Sequence, residues 1–117
     1  MTIGGVEYRL VAALRDGVWT AHAERQPSGD RFGIDCAGPT EEAAKNRLAK
    51  WLTWQDAHSR ALEALQSAER MYHRALAEGA FGNPADESAA EDLRRQSLAQ
   101  IEAASAQLDE VRSRRPE

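Results

Sequence analysis

Cysteine occurs once in this 117-residue chain, at Cys36. A lone thiol cannot close an internal disulfide, so packing must hold the fold, and a reducing, cytoplasmic setting is expected. Aromatic residues are scarce, at 6%, and alanine supplies much of the apolar content, which leaves material only for a thin core. No proline falls between Pro39 and Pro84, so that break is missing from the middle of the chain. There is no basic surplus: 15 basic residues stand against 19 acidic ones. That balance argues against nucleic acid or an anionic membrane surface as the partner. No apolar run approaches the roughly 20 residues that span a bilayer. Met1-Thr2-Ile3-Gly4-Gly5 lacks the charged-then-apolar pattern of a secretory leader. The length suits one small domain, or one with an extension.

Residues 6–36 read as three strands. Val6, Tyr8, Leu10, Ala12 and Leu14 alternate with Glu7, Arg9, Val11 and Ala13, the period of a half-buried strand. Asp16-Gly17 supplies a two-residue hairpin turn that needs positive φ. That turn fixes a register: Arg15 opposite Val18, Leu14 opposite Trp19, Ala12 opposite Ala21, Leu10 opposite Ala23 and Arg9 opposite Glu24. One face then gathers the apolar residues, while the other pairs an arginine with a glutamate. Pro27-Ser28-Gly29-Asp30 is a turn cluster. Phe32, Ile34 and Cys36 then line the core side of the third strand. An antiparallel sheet with one apolar face needs a cover.

Gly38-Pro39-Thr40-Glu41-Glu42 has the signals of a helix start: a threonine cap and two acids at the positive end of the dipole. The next glycine or proline is Gly79, which predicts one helix of about 40 residues, roughly 60 Å long. Ala44, Leu48, Trp51 and Leu52 suit the sheet's apolar face. Gly79 is read as the stop, with Phe81 tucked onto the last turn. Asn83-Pro84, with Asp86 and Glu87, starts a second helix that runs to about Ser113. Its length matches the last 30 or so residues of the first helix folded back antiparallel. The fold class is therefore α+β: a three-stranded antiparallel sheet followed by a long helix, which forms a protruding antiparallel helical hairpin with a second helix. Residues 1–52 make the βββα module and residues 53–117 the hairpin.

Along the first helix Trp51, Trp54, His58, Ala61, Leu65, Ala68, Tyr72 and Ala75 keep a 3,4 rhythm, a heptad seam. Ser97, Ile101, Ala104, Leu108 and Val111 follow on the second helix. Leu62, Met71 and Leu76 flank the first seam, and Leu93 and Leu98 the second, which is wider than one partner helix requires. A second copy of the chain is the simplest further partner, against an intramolecular contact that is merely broad. The candidate interface is Trp51, Trp54, His58, Leu62, Leu65, Met71, Tyr72 and Leu76. Trp51 is expected nearer the sheet and Trp54 on the hairpin or oligomer seam. His58 is expected to be partly buried there, where uptake of a proton in mild acid would disturb assembly.

Chemical motifs are few. His22, His58 and His73 have no metal-ligand spacing with one another or with Cys36, and no metal or other cofactor is expected. Glu69 and His73, one turn apart, read as a surface pair. Cys36 on a core face reads as a structural thiol, not a nucleophile. Ser59 and His58 are helix neighbours that point apart. Gly4-Gly5 precedes a strand, so it is no phosphate loop. No constellation converges on a reaction, and no catalytic residue is assigned. Lys45, Arg47 and Lys50 could suggest a phosphate track, but Glu41, Glu42 and Asp56 flank them, and a solvated mixed-charge face is the better reading.

Tyr8 to Leu14, then Asp16-Gly17-Val18-Trp19-Thr20-Ala21, then Gly38-Pro39-Thr40-Glu41-Glu42-Ala43, resembles the N-terminal module of HicB-like antitoxins. The resemblance covers roughly residues 6–52. It implies a βββα fold and a protein-binding role. The family's proline–glycine segment before the third strand is present only as Pro27-Ser28-Gly29. Where the family continues into a small DNA-binding domain, this chain continues into helical sequence. Three functions follow. The first is a non-enzymatic interaction protein, a homodimer or higher homo-oligomer assembled through its helical hairpin. The second is a HicB-like relative that binds a toxin. The third is a small-ligand or catalytic domain.

Overall fold

The computed structural model describes residues 1–81 and 87–116, with the backbone alone described at 79–81. The fold is α+β, a four-stranded antiparallel sheet followed by two helices. The elements are β1 (Thr2–Ile3), β2 (Val6–Arg15), β3 (Val18–Arg25), β4 (Asp30–Gly38), α1 (Glu41–Phe81) and α2 (Glu87–Ser113). They form two compact units, Met1–Asp56 with Arg115–Glu117, and Ala57–Arg114.

In the first unit the strands lie in chain order, β1-β2-β3-β4. Asp16 and Gly17, at φ of 52° and 78°, make the β2–β3 turn. The register is the one that turn dictates, with Arg15 opposite Val18, Ala12 opposite Ala21 and Arg9 opposite Glu24. The expected count of three strands is corrected to four. Gly4 and Gly5 take φ of 59° and 81°, a second tight turn that folds the chain start back along β2. Thr2 then faces Glu7 and Ile3 faces Val6. The Tyr8 amide donates to the Met1 carbonyl at 2.7 Å. The terminal amine and the Thr2 hydroxyl both donate to the Glu7 carboxylate.

A second correction falls on β4. Ile34 is 46% exposed and does not share the core face with Phe32 and Cys36. The cause is a bulge. Ala21 faces Cys36 and Ala23 faces Phe32, so three residues of β4 stand opposite His22 alone. Gly33, at φ of 81°, makes the bend, and a Cβ added there would meet Leu52 Cδ2 at 3.2 Å.

The core of this unit is Tyr8, Ala21, Ala23, Cys36, Ala44, Leu48 and Leu52, with Trp19, Phe32 and Trp51 packed around it. The first turns of α1 therefore cover the sheet, as the spacing of Ala44, Leu48 and Leu52 predicts. Thr40 caps α1: its hydroxyl accepts from the Ala43 amide at 3.0 Å and its carbonyl from the Ala44 amide at 3.1 Å. Gly38 lets this start approach β4, since a Cβ there would lie 2.7 Å from the Ala44 nitrogen.

α1 runs without a break through Thr53–His58. It also runs through Gly79 to Phe81, which corrects the stop expected at Gly79. An isolated glycine costs a helix only about 1 kcal/mol relative to alanine, too little to end one by itself. The Phe81 side chain and the start expected at Asn83-Pro84 and Asp86 lie outside the described residues; α2 is described from Glu87. The two helices together hold more than half of the chain.

In the second unit the most buried positions of α1 are Ala61, Ala68 and Ala75, each seven residues from the next. On α2 they are Ala90, Ser97, Leu108 and Val111. The Ser97 side chain has no exposed surface, and its hydroxyl donates to the Leu93 carbonyl at 2.7 Å, so it is satisfied within its own helix. Among the described residues no helix is long and apolar enough to cross a membrane.

Candidate interaction surface

The eight candidate residues divide between the two units. Trp51 and Trp54 belong to the first; His58, Leu62, Leu65, Met71, Tyr72 and Leu76 belong to the second. The α1 spacing puts Trp51 and Trp54 one turn apart. Their rings meet edge to face, with centroids 5.5 Å apart and planes at 83°, the arrangement that suits aromatic quadrupoles. Trp51 packs against the sheet core, where the sequence places it. Trp54 keeps company with Trp51 and with Arg115, whose guanidinium stands 5.2 Å from the Trp51 centroid and 5.9 Å from that of Trp54. Arg115 is a residue that sequence reasoning missed. Its partners lie more than sixty residues away in the chain, and no local pattern signals a contact of that kind.

In the second unit the heptad positions separate by size. The alanines are buried, while His58, Leu62, Leu65, Met71 and Tyr72 are half-buried and Leu76 is exposed. His58 is partly buried. On α2, Leu98 is 44% exposed, and Leu93 and Ile101 are half-buried. The Arg74–Glu78 and Arg95–Glu91 pairs are exposed i,i+4 contacts within α1 and α2, and the Arg114–Glu110 pair is one at the end of α2. Such pairs solvate a helix face and add little stability.

The remaining reactive groups are dispersed. Burial pushes the Cys36 thiol up from its ordinary value, with Arg47 opposing, which disfavours the reactive thiolate. On the uncovered face of the sheet His22 Nε2 lies 3.6 Å from Glu24 Oε2. Among the described residues, no three His, Cys, Asp or Glu side chains gather into a metal-sized cluster. The arrangement offers apolar and aromatic contact area. Comparison with family models, with curated proteins and with solved structures finds no match for this chain.

Proposed function

We propose that this chain is a non-enzymatic interaction protein of the cytoplasm that self-associates through its helical unit. The observation that carries the reading is the division of sizes along α1. The buried heptad positions are Ala61, Ala68 and Ala75, whereas Leu62, Leu65, Met71, Tyr72 and Leu76 keep exposed surface. In this reading α1 and α2 form an antiparallel hairpin, with the small residues letting the helices approach closely. The larger side chains then remain for a second copy. A two-helix unit whose deepest residues are mostly alanine and serine gains little from burial alone, and a second copy supplies the missing apolar area. His58, half-buried in the same unit, belongs to this surface. No cofactor is required.

Sedimentation velocity from low to high micromolar concentration tests this. The expected result is a species heavier than the 12.9 kDa chain, whose population rises with concentration. Leu65→Asp should lower that population, because it places a charge in the seam. A single 12.9 kDa species at high micromolar concentration would refute self-association.

A second reading, a relative of HicB-like antitoxins whose sheet unit takes a toxin, draws support from the capped helix start at Gly38–Glu42. A small basic protein encoded beside this gene, copurifying with the chain, would favour it. Copurification that survives Leu65→Asp would separate it from the first reading.

A further inference from the structure

The two outer edges of the sheet are unlike. β4 carries Asp30, Arg31 and Asp35 and is bent by the Gly33 bulge, devices that keep an edge from pairing with another strand. The stretch of β2 from Leu10 to Leu14 has none of them. β1 lies along β2 only at Val6 and Glu7, with two further bonds at Tyr8, whose amide donates to the Met1 carbonyl and whose carbonyl accepts from the terminal amine. Because strand groups alternate in direction and Tyr8 points toward β1, the N–H and C=O groups of Leu10, Ala12 and Leu14 point away from β3. Among the described residues no other strand lies on that side. The five residues between Arg9 and Arg15 are all apolar, and Leu14 is 56% exposed.

Arg9-Leu10-Val11-Ala12-Ala13-Leu14-Arg15 also reads nearly the same in both directions. We propose that the β2 edges of two copies pair antiparallel about a two-fold axis at Ala12. Leu10 then meets the second copy's Leu14, Val11 meets its Ala13, and the two Ala12 backbones exchange both hydrogen bonds. At each end Arg9 meets the second copy's Arg15. Three carboxylates answer that pair: Glu24 opposite Arg9 in its own sheet, Glu7 on the diagonal, and the second copy's Asp16 beside its Arg15. A strand of this length covers well under the roughly 800 Å² per partner of a stable complex. The pairing is therefore weak and concentration-dependent. It does not rest on the helical seam.

Cysteine trapping reads a weak contact of defined register. In a Cys36→Ala background, Val11→Cys and Ala13→Cys are made singly, both on the uncovered face. The register brings position 11 against position 13 of the other copy at a Cα separation of about 4.5 Å, while like positions lie beyond disulfide reach. Mixing the two variants in a glutathione buffer should give the mixed disulfide at least about tenfold faster than either like pair. Ala12→Pro removes an outward N–H, which an edge strand tolerates, and should abolish the cross-link while tryptophan emission stays native. In the wild type, amide exchange at Leu10, Ala12 and Leu14 should slow as concentration rises. Mixed and like disulfides forming in statistical proportion would overturn the proposal, as would amide protection independent of concentration. The cross-link should persist in Leu65→Asp; its loss there would overturn the edge as an interface in its own right.

Discussion

Leu48 is the residue on which the sheet unit should depend most. Its side chain has no exposed surface, and Ala21, Ala23 and Ala44 in the same cluster have none either. Removing buried methylenes costs their transfer energy plus a cavity term that shrinks only if neighbours can collapse. Alanines have no rotamers with which to collapse. Leu48→Ala should therefore fall in the upper part of the usual range, at about 4 kcal/mol. A unit of about 60 residues is stable by only about 3–9 kcal/mol, so the variant retains at most a few kcal/mol. The assay follows from where the tryptophans lie. All three, Trp19, Trp51 and Trp54, fall within the first unit, so tryptophan emission reports on that unit while far-ultraviolet dichroism follows the helices of both. With a slope of about 1 kcal/mol per molar urea, the emission midpoint should fall by about 3–4 M. Leu14→Ala, at a site already 56% exposed, should cost under about 1 kcal/mol. A shift for Leu48→Ala of less than about 1 M, close to that of Leu14→Ala, would refute the argument that this core cannot close over a gap.

Ala75 is 1% exposed whereas the next residue, Leu76, is 38% exposed. Ala75→Leu should cost about 1–3 kcal/mol in thermal melts of dichroism, because it forces bulk into a filled position. Leu76→Ala should leave the monomer within about 1 kcal/mol of wild type and act chiefly on association. Cys36 has a raised pKa from burial, so its fold-stabilising effect is present below the ordinary thiol range and lost as pH rises through the folded value. Ellman's reagent at pH 8 should label it only at the rate at which the sheet unit opens. Glu7 shifts the other way: the hydrogen bond from the terminal amine, then that from Thr2, holds its carboxyl below the ordinary value. Its contribution is present above the unfolded value and lost as pH falls through the folded one. Glu7→Gln should therefore flatten the acid limb of the stability profile, followed by urea melts between pH 7 and 3.

The β2–β3 register was legible because one dipeptide determined it. Asp16-Gly17 admits a single tight hairpin, and every pair from Tyr8–Arg25 to Arg15–Val18 follows. The same logic applied at Gly4-Gly5, but two residues on its far side are too few to show an alternation, and the strand there went unread. Gly33 inside an alternating run was the available sign of a bulge. Read as an ordinary strand residue, it left Ile34 on the wrong face. The helical stretch to Glu78 was readable from its unbroken pattern, whereas its continuation through Gly79 turns on about 1 kcal/mol, which tertiary context overrides. In the candidate surface, the sizes and spacing of the large side chains were visible. The stacking of Arg115 on two tryptophans was not, since it depends on where the chain returns after α2.

Because the sheet is laid down in chain order, each strand closes on the one before it across a loop of a few residues. Loop closure of that size costs little entropy, and topologies rich in local contacts fold quickly. The whole core cluster is complete once Leu52 has been made. At about 5–20 residues per second, the residues after Asp56 take roughly 3–12 s to synthesise. A nascent chain thus has time to bury the sheet's apolar face while its second helix has yet to leave the ribosome, and the β2 edge is the part of that early structure still open to another strand.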